Sequence, residues 1–196
     1  MSNDTAVFLG QFLRAPTVIG AVAPSSRRLA AAVCAPVPER GEPIVVELGP
    51  GTGPFTAEIQ DRLGGRGHHL AVEVNDKLAE LLAKRFPAVD VAHADATGLG
   101  ELLAARGLSQ ADVVVSGLPW AAFPQGLQHR LMDAVTSSMS PGGAFTTFSY
   151  IHAIPLAPAR RFRALLTERF EEVVTGRTVW RNAPPAFVFH ARRPRP

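Results

Sequence analysis

The chain has 196 residues, 46% hydrophobic and 19% charged, with Gly and Pro at 17 each, a composition that suits one packed core and excludes a disordered tail, a collagen-like rod and a disulfide miniprotein. No run of 18 or more apolar residues occurs, and the apolar stretch from Ala15 to Pro24 is bracketed by Pro16 and Pro24, so no membrane-spanning helix is expected. The net charge of +3 is unevenly spread: residues 1–40 carry four Arg against two acids, residues 41–159 seven basic against twelve acidic groups, and residues 160–196 nine Arg against three Glu. Basic ends attract nucleic acid or an anionic lipid surface, while an acidic middle is a poor bed for a phosphate backbone. Met1-Ser2-Asn3-Asp4 opens no basic-then-apolar export signal, and Cys34 is the single cysteine, so a cytosolic setting without disulfides is the simplest reading.

Asn3 or Asp4 caps a predicted helix in which Phe8 and Phe12, and Leu9 and Leu13, fall four apart on one side, with Arg14 at its end. Beyond the Pro16 break, Pro24-Ser25-Ser26 opens a second expected helix to about Cys34. Arg27 and Arg28 then occupy its first turn, where cations oppose the helix dipole and an anionic ligand would be favoured.

From Glu42 onward, strand-like runs at 43–48, 69–74, 89–93, 111–116 and 143–150 alternate with helical segments near 54–63, 76–85, 99–106 and 124–138. Such alternation predicts an α/β fold with a mainly parallel sheet covered on both faces. After a helix from about Pro158 to Phe170, runs at 171–180 and 186–190 flank Asn182-Ala183-Pro184-Pro185 and read as an antiparallel closure of the sheet. With no internal repeat or low-complexity linker, one domain is expected, residues 1–36 supplying N-terminal amphipathic helices and residues 37–196 a Rossmann-like core.

The strongest motif is Val45-Val46-Glu47-Leu48-Gly49-Pro50-Gly51-Thr52-Gly53-Pro54, a buried-type strand entering a glycine loop and then a proline-opened helix. Glu73 closes the next strand 22 residues after Gly51, near the offset at which an acid takes ribose hydroxyls. Gly53 follows Gly51 by two positions rather than the three of a dinucleotide fingerprint, and Glu47 would repel a pyrophosphate. S-adenosylmethionine carries no phosphate but a sulfonium and an ammonium, which a carboxylate at a strand end complements.

These residues resemble the class I S-adenosylmethionine-dependent methyltransferase motif, an acid followed by alternating glycines, with a second acid closing strand two. The resemblance extends to Asp95-Ala96, where that class contacts adenine, and to Ser116-Gly117-Leu118-Pro119-Trp120, where it places the acceptor. It implies a Rossmann-like fold with a mainly parallel seven-stranded sheet, and cofactor contacts at Glu47, Gly49, Gly51, Thr52, Gly53, Glu73, Asp95 and Ala96. Relatives that dimethylate rRNA adenine carry Asn two residues before the proline; here that position is Gly117, which counts against a nucleic-acid acceptor. Trp120 has two readings, a face for an alkylammonium or a ring packed under its loop.

Taken whole, the chain is similar to bacterial phospholipid N-methyltransferases, through Phe8-Leu9 to Arg14, Ile19 to Arg27, the glycine loop, Ser116 to Pro119, Thr147-Phe148-Ser149-Tyr150, Val179-Trp180-Arg181-Asn182 and Pro184-Pro185-Ala186. That resemblance implies methylation of a headgroup amine such as that of phosphatidylethanolamine, toward phosphatidylcholine, by a peripheral enzyme on the inner leaflet. Phe8, Leu9, Phe12, Leu13, Arg14, Arg27 and Arg28 would then meet the membrane, or the first helix would close over the cofactor as a lid. Ser116 and loop carbonyls are candidates to orient the amine, and Tyr150 and His152 to accept its proton. Arg181 and Asn182 would bind a lipid phosphate or brace the hairpin. Related motifs occur in ornithine-lipid methyltransferases, so the headgroup stays open, as do an rRNA adenine methyltransferase and a non-catalytic lipid- or nucleotide-binding module. No histidine spacing marks a metal site, and neither a nucleophile elbow nor a phosphate-binding Gly-Lys-Ser/Thr loop is present.

Overall fold

The computed structural model describes residues 25–195. The expected membrane-contact residues Phe8, Leu9, Phe12, Leu13 and Arg14 lie outside them. Elements follow in the order α1 (Arg27–Val33), β1 (Ile44–Leu48), α2 (Pro54–Leu63), β2 (His68–Glu73), α3 (Asp76–Arg85), β3 (Asp90–His93), α4 (Leu99–Ala104), β4 (Ala111–Ser116), α5 (Gln125–Ser137), β5 (Met139–Tyr150), α6 (Ala157–Arg169), β6 (Phe170–Thr175) and β7 (Ala186–Pro194).

Seven strands form one sheet in the order β3-β2-β1-β4-β5-β7-β6. The first five run parallel, and β7 lies antiparallel between β5 and β6. Because side chains alternate across a strand, the apolar runs feed two cores. On one face α1 and α2 set Leu29, Val33, Phe55 and Ile59 against Val45, Val113, Val115 and Val188. On the other, Leu103, Leu131, Met132, Phe162 and Leu166 cover Val46, Leu48, Val114, Phe145 and Phe189.

The termini of the elements have local causes. Ser26 caps α1, its hydroxyl accepting from the Leu29 amide at 3.2 Å. Asn75 caps α3 in the same way, accepting from Leu78 at 3.1 Å, while Lys84 and Arg85 sit at the favourable C-terminal end. Two expectations are corrected. β5 begins at Met139, not at residue 143, through an irregular pairing with β4 near Ala111. The strand expected over 171–180 stops at Thr175; the Gly176 amide still bonds Val188, and pairing returns only as a bridge between Val179 and Ala186.

Candidate active site

The C-terminal ends of β1, β2, β3 and β4 meet at one edge, the place where a reversal of strand order opens a crevice for ligands in α/β sheets. Backbone bonds lock their loops together: Gly49 donates to Val72 at 2.9 Å, Gly117 to Leu48 at 2.8 Å and Ala94 to Glu73 at 3.1 Å. Gly49, Gly51 and Gly53 have φ of 66°, 57° and 85°, left-handed conformations that glycine adopts without strain. A side chain at Gly53 would strike Phe86 at 2.7 Å, whereas the α-carbon of Gly51 faces open space. The loop therefore packs inward at one glycine and presents bare backbone at another.

Glu73 is buried at the centre of this edge. One carboxylate oxygen accepts from the Gly51 amide at 3.1 Å and the other from the Asn75 amide at 2.9 Å. Burial raises its pKa above the ordinary value, opposed by those amide bonds. Asp95 follows β3 and holds its own turn, accepting from the Thr97 amide and hydroxyl at 2.9 Å each. Ala96 is buried beside it, and Thr52 is exposed, its carbonyl held by Arg85 at 2.9 Å.

Glu47 is placed deeper than its motif position indicates. It lies fully buried under the first turn of α2, where the Thr56 hydroxyl donates to Oε2 at 2.7 Å and His69 Nε2 lies 3.3 Å from the same oxygen. Gln60 meets His69 Nδ1 at 3.0 Å; if its amide donates there, the imidazole proton sits on Nε2, toward Glu47. Oε1 of Glu47 is buried with no hydrogen-bond partner among the described residues. An orphaned carboxylate oxygen calls for a donor, and the ammonium tail of a cationic nucleoside would supply one. Together with the bare backbone at Gly51 and the acid at Glu73, these residues fit S-adenosylmethionine.

In the acceptor loop the structure selects the packed reading of Trp120 and departs from expectation at Ser116. Trp120 is 2% exposed, stacked on Phe162 with ring centroids 4.8 Å apart and edge-on to Phe145, so its face is not open to an alkylammonium. The wholly buried Ser116 hydroxyl accepts from Trp120 Nε1 at 2.9 Å and from the Leu118 amide at 3.3 Å, which makes Ser116 a support of the loop rather than a group facing an acceptor. Gly117 has a steric reason as well: a Cβ there would lie 2.6 Å from the Gly49 carbonyl oxygen, so this backbone has no room for the Asn of the adenine-modifying relatives.

Tyr150 and His152 stack on each other at 5.5 Å where β5 ends. Burial raises the Tyr150 phenol above its ordinary value, farther still from ionising at neutral pH. Asn182 is a brace: its Oδ1 accepts from the Ser26 amide at 2.9 Å and its Nδ2 donates to the Pro184 carbonyl at 2.7 Å. This bond draws the start of α1, with exposed Arg27 and Arg28, toward the turn that carries exposed Trp180 and Arg181. Sequence reasoning missed Thr56, His69 and Gln60; the offset of Thr56 from Glu47, nine residues across a loop and into a helix, was the available signal.

An ornithine lipid N-methyltransferase of Singulisphaera acidiphila is 38% identical over 193 residues, spanning 97% of this chain and 96% of that protein. The chain belongs to its family. It is an S-adenosylmethionine-dependent N-methyltransferase, and the glycine loop and Glu73 are the parts of the fold suited to that cofactor. No family model matches. Solved structures share the fold at low identity: TrmN of Thermus thermophilus, 20% identical with a TM-score of 0.66 over 85% of this chain, and an S-adenosylmethionine-dependent O-methyltransferase of Thermotoga maritima, 14% identical with a TM-score of 0.63 over 85%. The chain spans 48% and 64% of those two, so it has the Rossmann-like methyltransferase core without their full length. No described helix is long and apolar enough to cross a membrane.

Proposed function

We propose that this enzyme methylates the headgroup amine of an aminolipid, an ornithine lipid or phosphatidylethanolamine, while resting on an anionic membrane surface. The 38% identity across nearly the whole of a lipid-modifying relative carries the reading. The basic, aromatic edge supports it: Trp180 is 73% exposed and Arg177, Arg181, Arg27 and Arg28 are exposed with it. Each cation near an anionic surface contributes about 1 kcal/mol, and an exposed Trp suits the headgroup layer.

When bound, S-adenosylmethionine supplies a methyl carbon made electrophilic by its sulfonium. The residues of the chain do the rest. The backbone of Gly117 to Pro119, buttressed by Ser116 and Trp120, fixes where an acceptor nitrogen can sit, and such positioning is worth about 7–11 kcal/mol of a bimolecular barrier. An ammonium must lose a proton before its lone pair can react. Since Tyr150 is held as a phenol, His152 stacked on it is the proton acceptor, with the phenol as a hydrogen-bond donor to the headgroup.

Purified protein incubated with methyl-labelled cofactor and vesicles containing phosphatidylethanolamine or ornithine lipid should yield labelled lipid on chromatography, more of it when anionic lipid is added. Normal cofactor binding with no labelled lipid from either vesicle overturns the assignment.

A further inference from the structure

A cavity of about 360 Å³ lies outside the cofactor edge, between α6 and the β5-β7-β6 part of the sheet. Phe187 and Phe189 of β7 form its apolar floor, Ile154, half exposed, its wall, and Arg160 and Arg163 of α6 its rim. Phe187 and Phe189 meet edge-on at 5.1 Å, giving a firm base. The two arginines are three residues apart and so project from one side of the helix. Among the described residues no carboxylate lines the cavity, and neither guanidinium has an ion-pair partner.

Paired cations above hydrocarbon walls complement one class of molecule, an anionic amphiphile. The location connects it to the acceptor loop: Phe189 packs edge-on against Phe162 at 6.3 Å, and Phe162 stacks on Trp120 at 4.8 Å. The cavity is thus two strand spacings, ~10 Å, from the end of β4. With the headgroup amine at the loop, that separation reaches the acylated portion of the same lipid, and the shorter distance from amine to anion is left to the long side chains of the two arginines.

Resting on the aminolipid reading above, we infer that this cavity is the second half of the substrate site: Arg160 and Arg163 hold the lipid's carboxylate or phosphate, and Ile154, Phe187 and Phe189 take the start of an acyl chain. The same anion could instead come from a free carboxylate or phosphate, and the walls argue that the chain is required.

The test is direct binding of a fluorescent lysophosphatidic acid below its micellar concentration, beside inorganic phosphate and a monoacylglycerol carrying the same fluorophore. The full chain should bind the anionic amphiphile and neither of the other two at comparable concentration. Arg160→Ala with Arg163→Ala should weaken that binding at least about tenfold, and Ala159→Phe, which grows into the cavity from the exposed side, should abolish it, with cofactor affinity unchanged in both. Equal binding by wild type and both variants, or competition by inorganic phosphate alone, overturns the inference. Methylation of aminolipid vesicles is measured in parallel. Labelled lipid with cavity-independent probe binding sinks the cavity alone, whereas cavity-dependent binding without labelled lipid upholds the cavity as a site for an anionic amphiphile and sinks both the assignment of the reaction and the cavity's place in its substrate site.

Discussion

Gly117 is where one atom decides what the acceptor loop can be. Its backbone is not left-handed, so the barrier to a side chain is purely the Gly49 carbonyl 2.6 Å from a would-be Cβ. Gly117→Ala should cost about 1–3 kcal/mol, read as a lowered midpoint in urea, because backbone rather than a flexible side chain must give way. Thr56→Val should cost about 1–3 kcal/mol as well, since it keeps the shape but strips the one hydroxyl donor from a buried carboxylate; a calorimetric melt checks it, and unchanged stability would mean that Glu47 is satisfied otherwise. At this scale the sequence was partly legible. The placement of Glu73 beside the glycine loop was readable because it depends on local spacing along adjoining strand-loop-helix units. Trp120 was not, because an aromatic residue serves a ligand or a core equally well, and what settles it is Phe162, 42 positions away. Asn182 was left between two roles for the same reason; its partner is the amide of Ser26, 156 positions earlier.

At the scale of elements, the edge strand β3 depends on charge. Asp90 opens it, paired side-on with Arg106, whose Nε lies 2.6 Å from one carboxylate oxygen, and with His68 at 3.1 Å. The Arg106 hydrogen bond is the main reason that the Asp90 pKa lies below its ordinary value. A carboxylate whose folded value is depressed adds stability that is present above the unfolded value and disappears as pH falls through the folded one. Arg106→Ala should therefore destabilise the protein at pH 7, by about 1 kcal/mol for a partly exposed pair, and the gap to wild type should narrow under acid conditions. Denaturant titrations at pH 7 and pH 3 measure it, and a gap that widens in acid contradicts it. The alternation of strands and helices was readable because the central parallel strands β1 and β4 are buried on both faces and so leave nearly unbroken apolar runs. The last hairpin was less so: residues 171–180 alternate well enough for one strand, but Glu171, Glu172 and Val174 are exposed at an outer edge, where little burial enforces continuity past Gly176.

Across the whole molecule, the cations of residues 160–196 divide between the two ends of the sheet: Arg177 and Arg181 flank the Val179–Ala186 bridge at the site end of β5, whereas Arg192, Arg193 and Arg195 lie toward the far end, where Arg192 is in register with Ala144. Of the two tryptophans only Trp180 reports on the surface, being 73% exposed where Trp120 is 2% exposed. Iodide should quench only the Trp180 part of the emission, Trp180→Phe should remove that part, and vesicles rich in anionic lipid should shield it. Quenching that vesicles leave unchanged would place the membrane against some other face.

The order of the sheet has a further consequence for how the chain is made. β7 is the latest strand in the described sequence, yet it sits between β5 and β6 and hydrogen-bonds both. During synthesis β5 must wait with a bare edge, and β6 with no neighbour, until residues 186–194 emerge from the ribosome. Nascent chains stalled before that point would carry an open template for pairing with one another, so the methyltransferase core is guarded against aggregation only once those residues have joined the sheet.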